Sequence, residues 1–264
     1  MTRRRWIADS WDQGTASLKG EQAAHLIRVL RARTGMEFDV VAGDRVWRSQ
    51  VASLTGDTVR FTLLAEVEAD PALPVTLLLS IFKFDRMEWI LEKATELGVE
   101  RFTPMIAERS EKHLALAAPA RVERWRRIAH EAAKQSRRSD VPVVDDPVSL
   151  RDAVRSERHG RHLRMLLSER ERLTTLRMAM DQAAATTSAQ QAAEPTLGGG
   201  ERMPERVEPE LAIALAVGPE GGWTTQEEAL LAQEGWRAVS LGPRILRAET
   251  AGITAVAVVA AWLE

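Results

Sequence analysis

From residue 75 onward the chain alternates short runs that are apolar on both faces with longer runs of helical period, and that alternation fixes the class of fold. Residues 75–82 form an unbroken apolar strand, after which Met87, Ile90, Leu91, Ala94 and Leu97 recur at helical spacing up to Gly98. Strand or helix patterns follow at 102–107, 121–135, 141–144, 150–158, 163–167, 211–217, 225–233, 238–241 and 249–263. Strands with no polar face must be covered on both sides, so the expectation is an α/β fold with a parallel sheet between helices. Two helix starts carry capping-box spacing, Asp85 with Glu88 and Thr225 with Glu228.

The first residues read differently. Met36, Phe38 and Val40 alternate, as do Val59, Phe61 and Leu63, and the turn signals Ala42-Gly43-Asp44 and Thr55-Gly56-Asp57 punctuate them. Ala24, Ile27 and Leu30 suggest one helix within 21–31. This predicts a small β-rich domain over 1–70, a proline-bearing linker over 66–74 with Pro71 and Pro74, and an α/β domain over 71–264. Within the latter, 181–210 is rich in Ala, Thr, Gln and Gly and reads as a flexible insertion with no chemistry assigned.

Composition removes several function classes. The chain has no cysteine, which rules out disulfides, thiolate zinc sites and cysteine nucleophiles and agrees with a reducing, cytoplasmic home. Arg3, Arg4 and Arg5 have no apolar stretch behind them, so no secretory signal is expected, and the apolar run 253–263 is too short to span a bilayer. His25, His113, His130, His159 and His162 lack partners at ligand spacing, so no metal is expected. A formal charge of −2 gives no overall pull on nucleic acid, so any RNA contact must come from local arginine groups. Such groups exist at Arg3 to Arg5 and at Arg121, Arg124, Arg126, Arg127, Lys134, Arg137 and Arg138. An ordinary solvated surface is the competing explanation, as it is for Lys93 and Glu96.

Two segments carry the chemistry. Val217-Gly218-Pro219-Glu220-Gly221-Gly222-Trp223 follows an apolar strand and precedes a helix, and glycines there let the backbone approach a ligand closely. It is neither a dinucleotide fingerprint nor a P-loop. Leu241-Gly242-Pro243-Arg244-Ile245-Leu246-Arg247-Ala248-Glu249-Thr250 repeats the strand, turn and helix order. Backbone N–H and C=O groups on two such loops can read an adenine edge without charged side chains.

Together the two segments resemble the C-terminal signature of the SPOUT methyltransferases, and specifically the ribosomal RNA small subunit methyltransferase E family, which methylates uridine N3. Further matches are His-Leu-Ile-Arg-Val-Leu-Arg at 25–31, Lys83 through the Lys-Ala-Thr-Glu-Leu-Gly-Val run ending at Val99, Glu108-Arg109-Ser110, and the stretch 131–138 around Gln135-Ser136. The resemblance implies a PUA-like RNA-binding barrel over 1–70, a SPOUT domain with a deep trefoil knot, and an active site completed across a homodimer. It places S-adenosyl-L-methionine (SAM) against Leu167, Ser168, Gly218, Glu220, Gly221, Gly222, Leu241, Gly242, Ile245, Leu246, Arg247 and Thr250. Candidate contacts to 16S rRNA, within the small ribosomal subunit, are Arg3, Arg4, Arg5, Arg28, Arg31, Lys83, Arg86, Arg109 and Arg138. The sequence departs from the family at Arg137, where glycine is common, and in the insertion after Met180.

Methyl transfer from a sulfonium is an in-line displacement, so the main task of a site is to align nucleophile and methyl. Uracil N3 must lose a proton, and the negative charge then spreads onto O2 and O4. Arg138 is the candidate for stabilising that charge, against a plain salt bridge or phosphate contact, and Glu108 or Glu220 for taking the proton. The alternatives are a SPOUT enzyme acting at another RNA position or a ribose 2′-hydroxyl, and a noncatalytic RNA-binding ribosome-assembly factor. A Rossmann dehydrogenase is disfavoured by the missing fingerprint.

Overall fold

The computed structural model describes residues 5–43, 45–68, 72–156, 162–193 and 212–263. Arg3, Arg4 and Asp44 lie outside the described residues, as do parts of the linker and of the 181–210 stretch. The chain divides into two compact units, Met1–Ala72 with Ala129–Pro142, and Leu73–Ile128 with Val143–Glu264.

The first unit contains a six-stranded sheet in the order β1-β4-β5-β6-β3-β2. Its strands are β1 (Arg5–Ile7), β2 (Ser10–Asp12), β3 (Thr15–Lys19), β4 (Glu37–Ala42), β5 (Arg45–Thr55) and β6 (Thr58–Val67), with helix α1 (Gly20–Arg28) between β3 and β4. Pairing is antiparallel apart from β1 with β4. Trp6, Leu18, Leu26, Val40, Val59 and Phe61 form its core. The helix predicted over 21–31 stops at Arg28, and Arg31 adopts a positive φ of 50° just beyond it.

The second unit is built on a seven-stranded, wholly parallel sheet. Its strands are β7 (Leu73–Ser80), β8 (Val99–Ile106), β9 (Val143–Val144), β10 (Val148–Ser149), β11 (His162–Leu167), β12 (Ala212–Val217) and β13 (Arg237–Val239). The order is β10-β8-β7-β12-β11-β13, with β9 also on β8. The parallel α/β sheet is what the two-faced apolar strands require: Val75, Leu77, Leu78, Leu79 and residues 213–217 are all buried.

The helices are α2 (Phe84–Glu96), α3 (Lys112–Ala117) with a 3-10 turn at Ala118–Arg121, α4 (Val122–Ser136), α5 (Leu150–Ser156), α6 (Leu176–Ala193), α7 (Thr225–Gln233) and α8 (Ala248–Leu263). Helix α2 packs on α8 so closely that a Cβ built on Gly252 would lie 2.3 Å from Ile90 Cδ1. Met87, Ile90, Leu91 and Ala94 of α2 and Ala255, Val256 and Val259 of α8 are fully buried. Each large side chain among them contributes about 1.5–3 kcal/mol of burial. No described helix is long and apolar enough to cross a membrane.

Three sequence expectations are corrected. Helix α2 begins one residue before Asp85, its N-cap is Lys83, and no side chain caps it; Glu88 instead holds Arg124 through two hydrogen bonds at 2.5 and 2.7 Å. The capping box of α7 uses Thr224 and Glu227, one residue earlier than predicted. Within the stretch read as an insertion, residues 181–193 are helical, continuing α6 from Leu176 to Ala193, consistent with the helix propensity of Ala and Gln.

Candidate active site

A cavity of about 490 Å3 opens at the carboxyl ends of β11, β12 and β13, within the range of small-molecule sites. Three strand ends supply its wall: Leu167 to Arg170 after β11, Val217 to Glu220 with Gly222 and Trp223 after β12, and Ser240 to Gly242 after β13. Arg244 to Ala248 and Ala251 close it from the entry to α8, and Lys83 and Arg86 from the start of α2. The sheet order accounts for the place. Strand β12 sits between β7 and β11, so connections diverge around it and leave a crevice at the strand ends.

The glycine loop after β12 is a fixed object. The Gly222 amide donates to Pro219 O at 2.8 Å, and Gly222 holds a φ of 68°, which only glycine adopts at little cost. Arg109 Nη1 donates to the carbonyl oxygens of Gly221 at 2.8 Å and Trp223 at 3.3 Å. Glu227 accepts from the Thr224 amide at 2.8 Å and, with its other oxygen, from the Glu108 amide at 2.7 Å. The Glu108 carboxylate in turn accepts from the Thr224 hydroxyl at 2.9 Å. Glu108 and Arg109 therefore brace the loop from β8.

The other two walls are equally tied down. Ser168 Oγ donates to Glu228 at 2.9 Å and accepts from the Arg170 amide at 3.2 Å. The Glu171 carboxylate accepts from the Leu173 and Thr174 amides at 2.7 and 2.9 Å. Those backbone bonds, Thr174 first and then Leu173, hold its pKa below the ordinary carboxylate value of 4.5. Ser240 Oγ accepts from the Gly242 amide and donates to its carbonyl, both at 3.1 Å. Gly242 has a φ of 117° and lines the cavity, and a Cβ there would enter open space.

The structure brings together in this one wall Leu167, Ser168, Gly218, Glu220, Gly222, Leu241, Gly242, Ile245, Leu246 and Arg247. Gly221 and Thr250 are next to the lining rather than in it. Of the candidate RNA contacts, Lys83 and Arg86 line the cavity, and Arg109 is committed to loop carbonyls. Arg5, Arg28, Arg31 and Arg138 belong to the first unit. The Arg138 side chain is 8% exposed and forms a two-point ion pair with Asp140. Glu220 accepts from Arg86 at 2.8 Å. Sequence reasoning missed Arg170 and Arg172, which also line the cavity, because no spacing rule ties the β11 turn to the glycine loops. Among the described residues no group of three or more His, Asp or Glu is arranged to hold a metal ion.

Residues 69–260 match the model of the RNA methyltransferase domain. The chain is 34% identical over 253 residues to ribosomal RNA small subunit methyltransferase E of Synechocystis sp., covering 96% of this chain and 75% of that protein. It is 30% identical over 251 residues to the Bacillus subtilis enzyme of the same name, covering 93% and 89%. The chain belongs to the ribosomal RNA small subunit methyltransferase E family. Among solved structures, the Neisseria gonorrhoeae member bound to SAM superposes with a TM-score of 0.71 at 29% identity, covering 99% of this chain and 98% of that one.

Proposed function

We infer that this protein transfers a methyl group from SAM to N3 of a uridine in the 16S rRNA of the small ribosomal subunit. The observation that carries the reading is the cavity itself, in which three separate strand ends present backbone and small residues to one space. SAM fits what the residues offer. Gly242 leaves room that any side chain would fill, and Leu167, Val217, Leu241, Leu246 and Ala251 give an apolar wall for an adenosine. When bound, SAM supplies a methyl activated by its sulfonium.

The chain's own residues do the rest. The loop from Leu241 to Arg247 reads the adenine edge through its backbone, and the braced turn from Gly218 to Gly222 fixes the methyl donor so that the nucleophile meets it in line. Glu220, at the cavity, takes the N3 proton, directly or through water. Glu108 acts by holding Thr224, one step behind the loop. Arg138, kept oriented by Asp140, stabilises negative charge on O2 and O4 of the target uracil. By resemblance the first unit serves as a PUA-like RNA-binding barrel, the second carries the trefoil knot, and the enzyme works in the cytoplasm as a homodimer whose subunits complete each other's site.

The test is to incubate the purified protein with labelled SAM and small subunits from cells lacking the enzyme, digest the RNA and identify the methylated nucleoside by mass spectrometry. N3-methyluridine is expected. A different methylated nucleoside overturns the target, and SAM binding without product on subunits or free RNA favours a noncatalytic assembly factor.

A further inference from the structure

One guanidinium nitrogen at the cavity stands between two carboxylates. Arg86 Nη1 lies 2.8 Å from Glu220 Oε1 and 3.7 Å from Glu249 Oε1. Glu249 is 2% exposed, and its second oxygen has no hydrogen-bond partner among the described residues. Among the described residues Arg86 is the cation within ion-pair distance of both Glu220 and Glu249, so this three-residue cluster carries one more carboxylate than cation, a costly arrangement for the buried member unless a charge arrives from elsewhere.

The cluster cannot relax by drifting apart. Arg86 is on α2 four residues before Ile90, and Glu249 is on α8 three residues before Gly252. The Ile90–Gly252 contact is the one in which a Cβ would sit 2.3 Å from the isoleucine. The two helices are thus locked one turn away from the charged pair. Arg86, Glu220, Ala248 and Ala251 all line the cavity, so the shortfall is felt there. Other charges line it too: Lys83, Arg172, Arg244, Arg247 and Glu169 are exposed, and Arg170 pairs with Glu228 at 2.8 Å. Solvent screens those groups more strongly than Glu249, whose side chain is 3% exposed beside Arg86 at 25%.

We propose that Arg86, Glu220 and Glu249 read the charge of the cofactor, with Glu249 as a positioning residue that keeps the cluster negative. This rests on the reading of the cavity as the SAM site. In the transfer the N3–methyl bond forms as the methyl–sulfur bond breaks, the N3 proton leaves to Glu220 or water, the broken bond's electron pair stays on sulfur, and the cationic sulfonium becomes the neutral thioether of S-adenosylhomocysteine (SAH). A cluster short of one cation gains from the first and not from the second, so the same residues that hold the donor loosen the spent product.

Isothermal titration of SAM and SAH into the wild-type protein and into Glu249→Gln tests this. Loss of the negative charge should shift the ratio of SAM to SAH affinity toward SAH by about tenfold, a size typical of one partly screened charge. Glu220→Gln, at an exposed position, should shift the ratio in the same direction by less and serves if the buried substitution unfolds the protein. Equal effects on both ligands, or no effect in either variant, would show that Glu249 only completes the start of its helix and would overturn the proposal. If the wild-type protein binds neither ligand, the cofactor reading fails and takes this inference with it.

Discussion

The indole Nε1 of Trp223 donates to the carbonyl oxygen of Leu167 at 2.9 Å, tying the end of β11 to the glycine loop of β12 inside the core. The same ring packs on Gly218, where an added Cβ would lie 3.0 Å from Cε2 and Nε1. Trp223→Phe keeps the ring face but leaves the Leu167 carbonyl without its donor, at a cost of about 1–3 kcal/mol. Urea denaturation should show that loss, and calorimetry a weaker SAM affinity. An unchanged midpoint would mean that water replaces the bond.

Gly252→Ala should destabilise the second unit by about 1–3 kcal/mol, because the new methyl meets Ile90 Cδ1 in a fully packed contact. Ile90→Val removes that Cδ1, so the double variant should recover part of the loss. Denaturation of both single variants and the double closes the cycle, and strict additivity would contradict the contact.

Gly242→Ala meets no atom within 4 Å but must hold a φ of 117°. The strain should cost about 1–3 kcal/mol. Because the methyl points into open space at the cavity, SAM affinity should drop by more than the stability change alone explains. Parallel thermal melts and titrations separate the two effects.

Glu171 gives a pH dependence of defined sign. Its native pKa lies below 4.5, so its stabilisation of the turn is present above that value and lost as pH falls through the depressed native one. SAM affinity should decline over that acid range, since Arg170 and Arg172 on either side of Glu171 line the cavity. Glu171→Gln should weaken binding at neutral pH and flatten the acid decline. A parallel decline in both proteins would assign the effect to another carboxylate.

The parallel sheet and both glycine loops were legible because period and punctuation agree there. An apolar run ends at Val217 and Gly218 follows it, a helical pattern starts from Thr225, and the structure has β12 and α7 in those places. Strand β5 was not seen, although it spans Arg45–Thr55. Its pairing slips at Arg48/Ser49 and again at Val51/Ser53, and each slip breaks the alternation by which a half-buried strand is recognised. The α7 cap was placed one residue late because Thr224-Thr225-Gln226-Glu227-Glu228 offers two frames with the same spacing, and only the brace from Glu108 selects the first. The Arg86–Glu249 pair was invisible for a different reason. Its members are far apart in sequence, and only helix packing makes them neighbours.

Strand β11 has β12 on one side and β13 on the other, and both come later in the chain. During synthesis from the N-terminus, β7 can pair with β8 as soon as the latter leaves the ribosome, but β11 emerges with neither of its neighbours made. Until residues 212–217 and then 237–239 follow, a strand carrying Leu163, Met165, Leu166 and Leu167 waits with two open edges, the state in which chains pair with one another instead of with themselves. The period of greatest exposure to aggregation therefore falls in the last third of translation, and the stretch that lengthens it is the segment between β11 and β12.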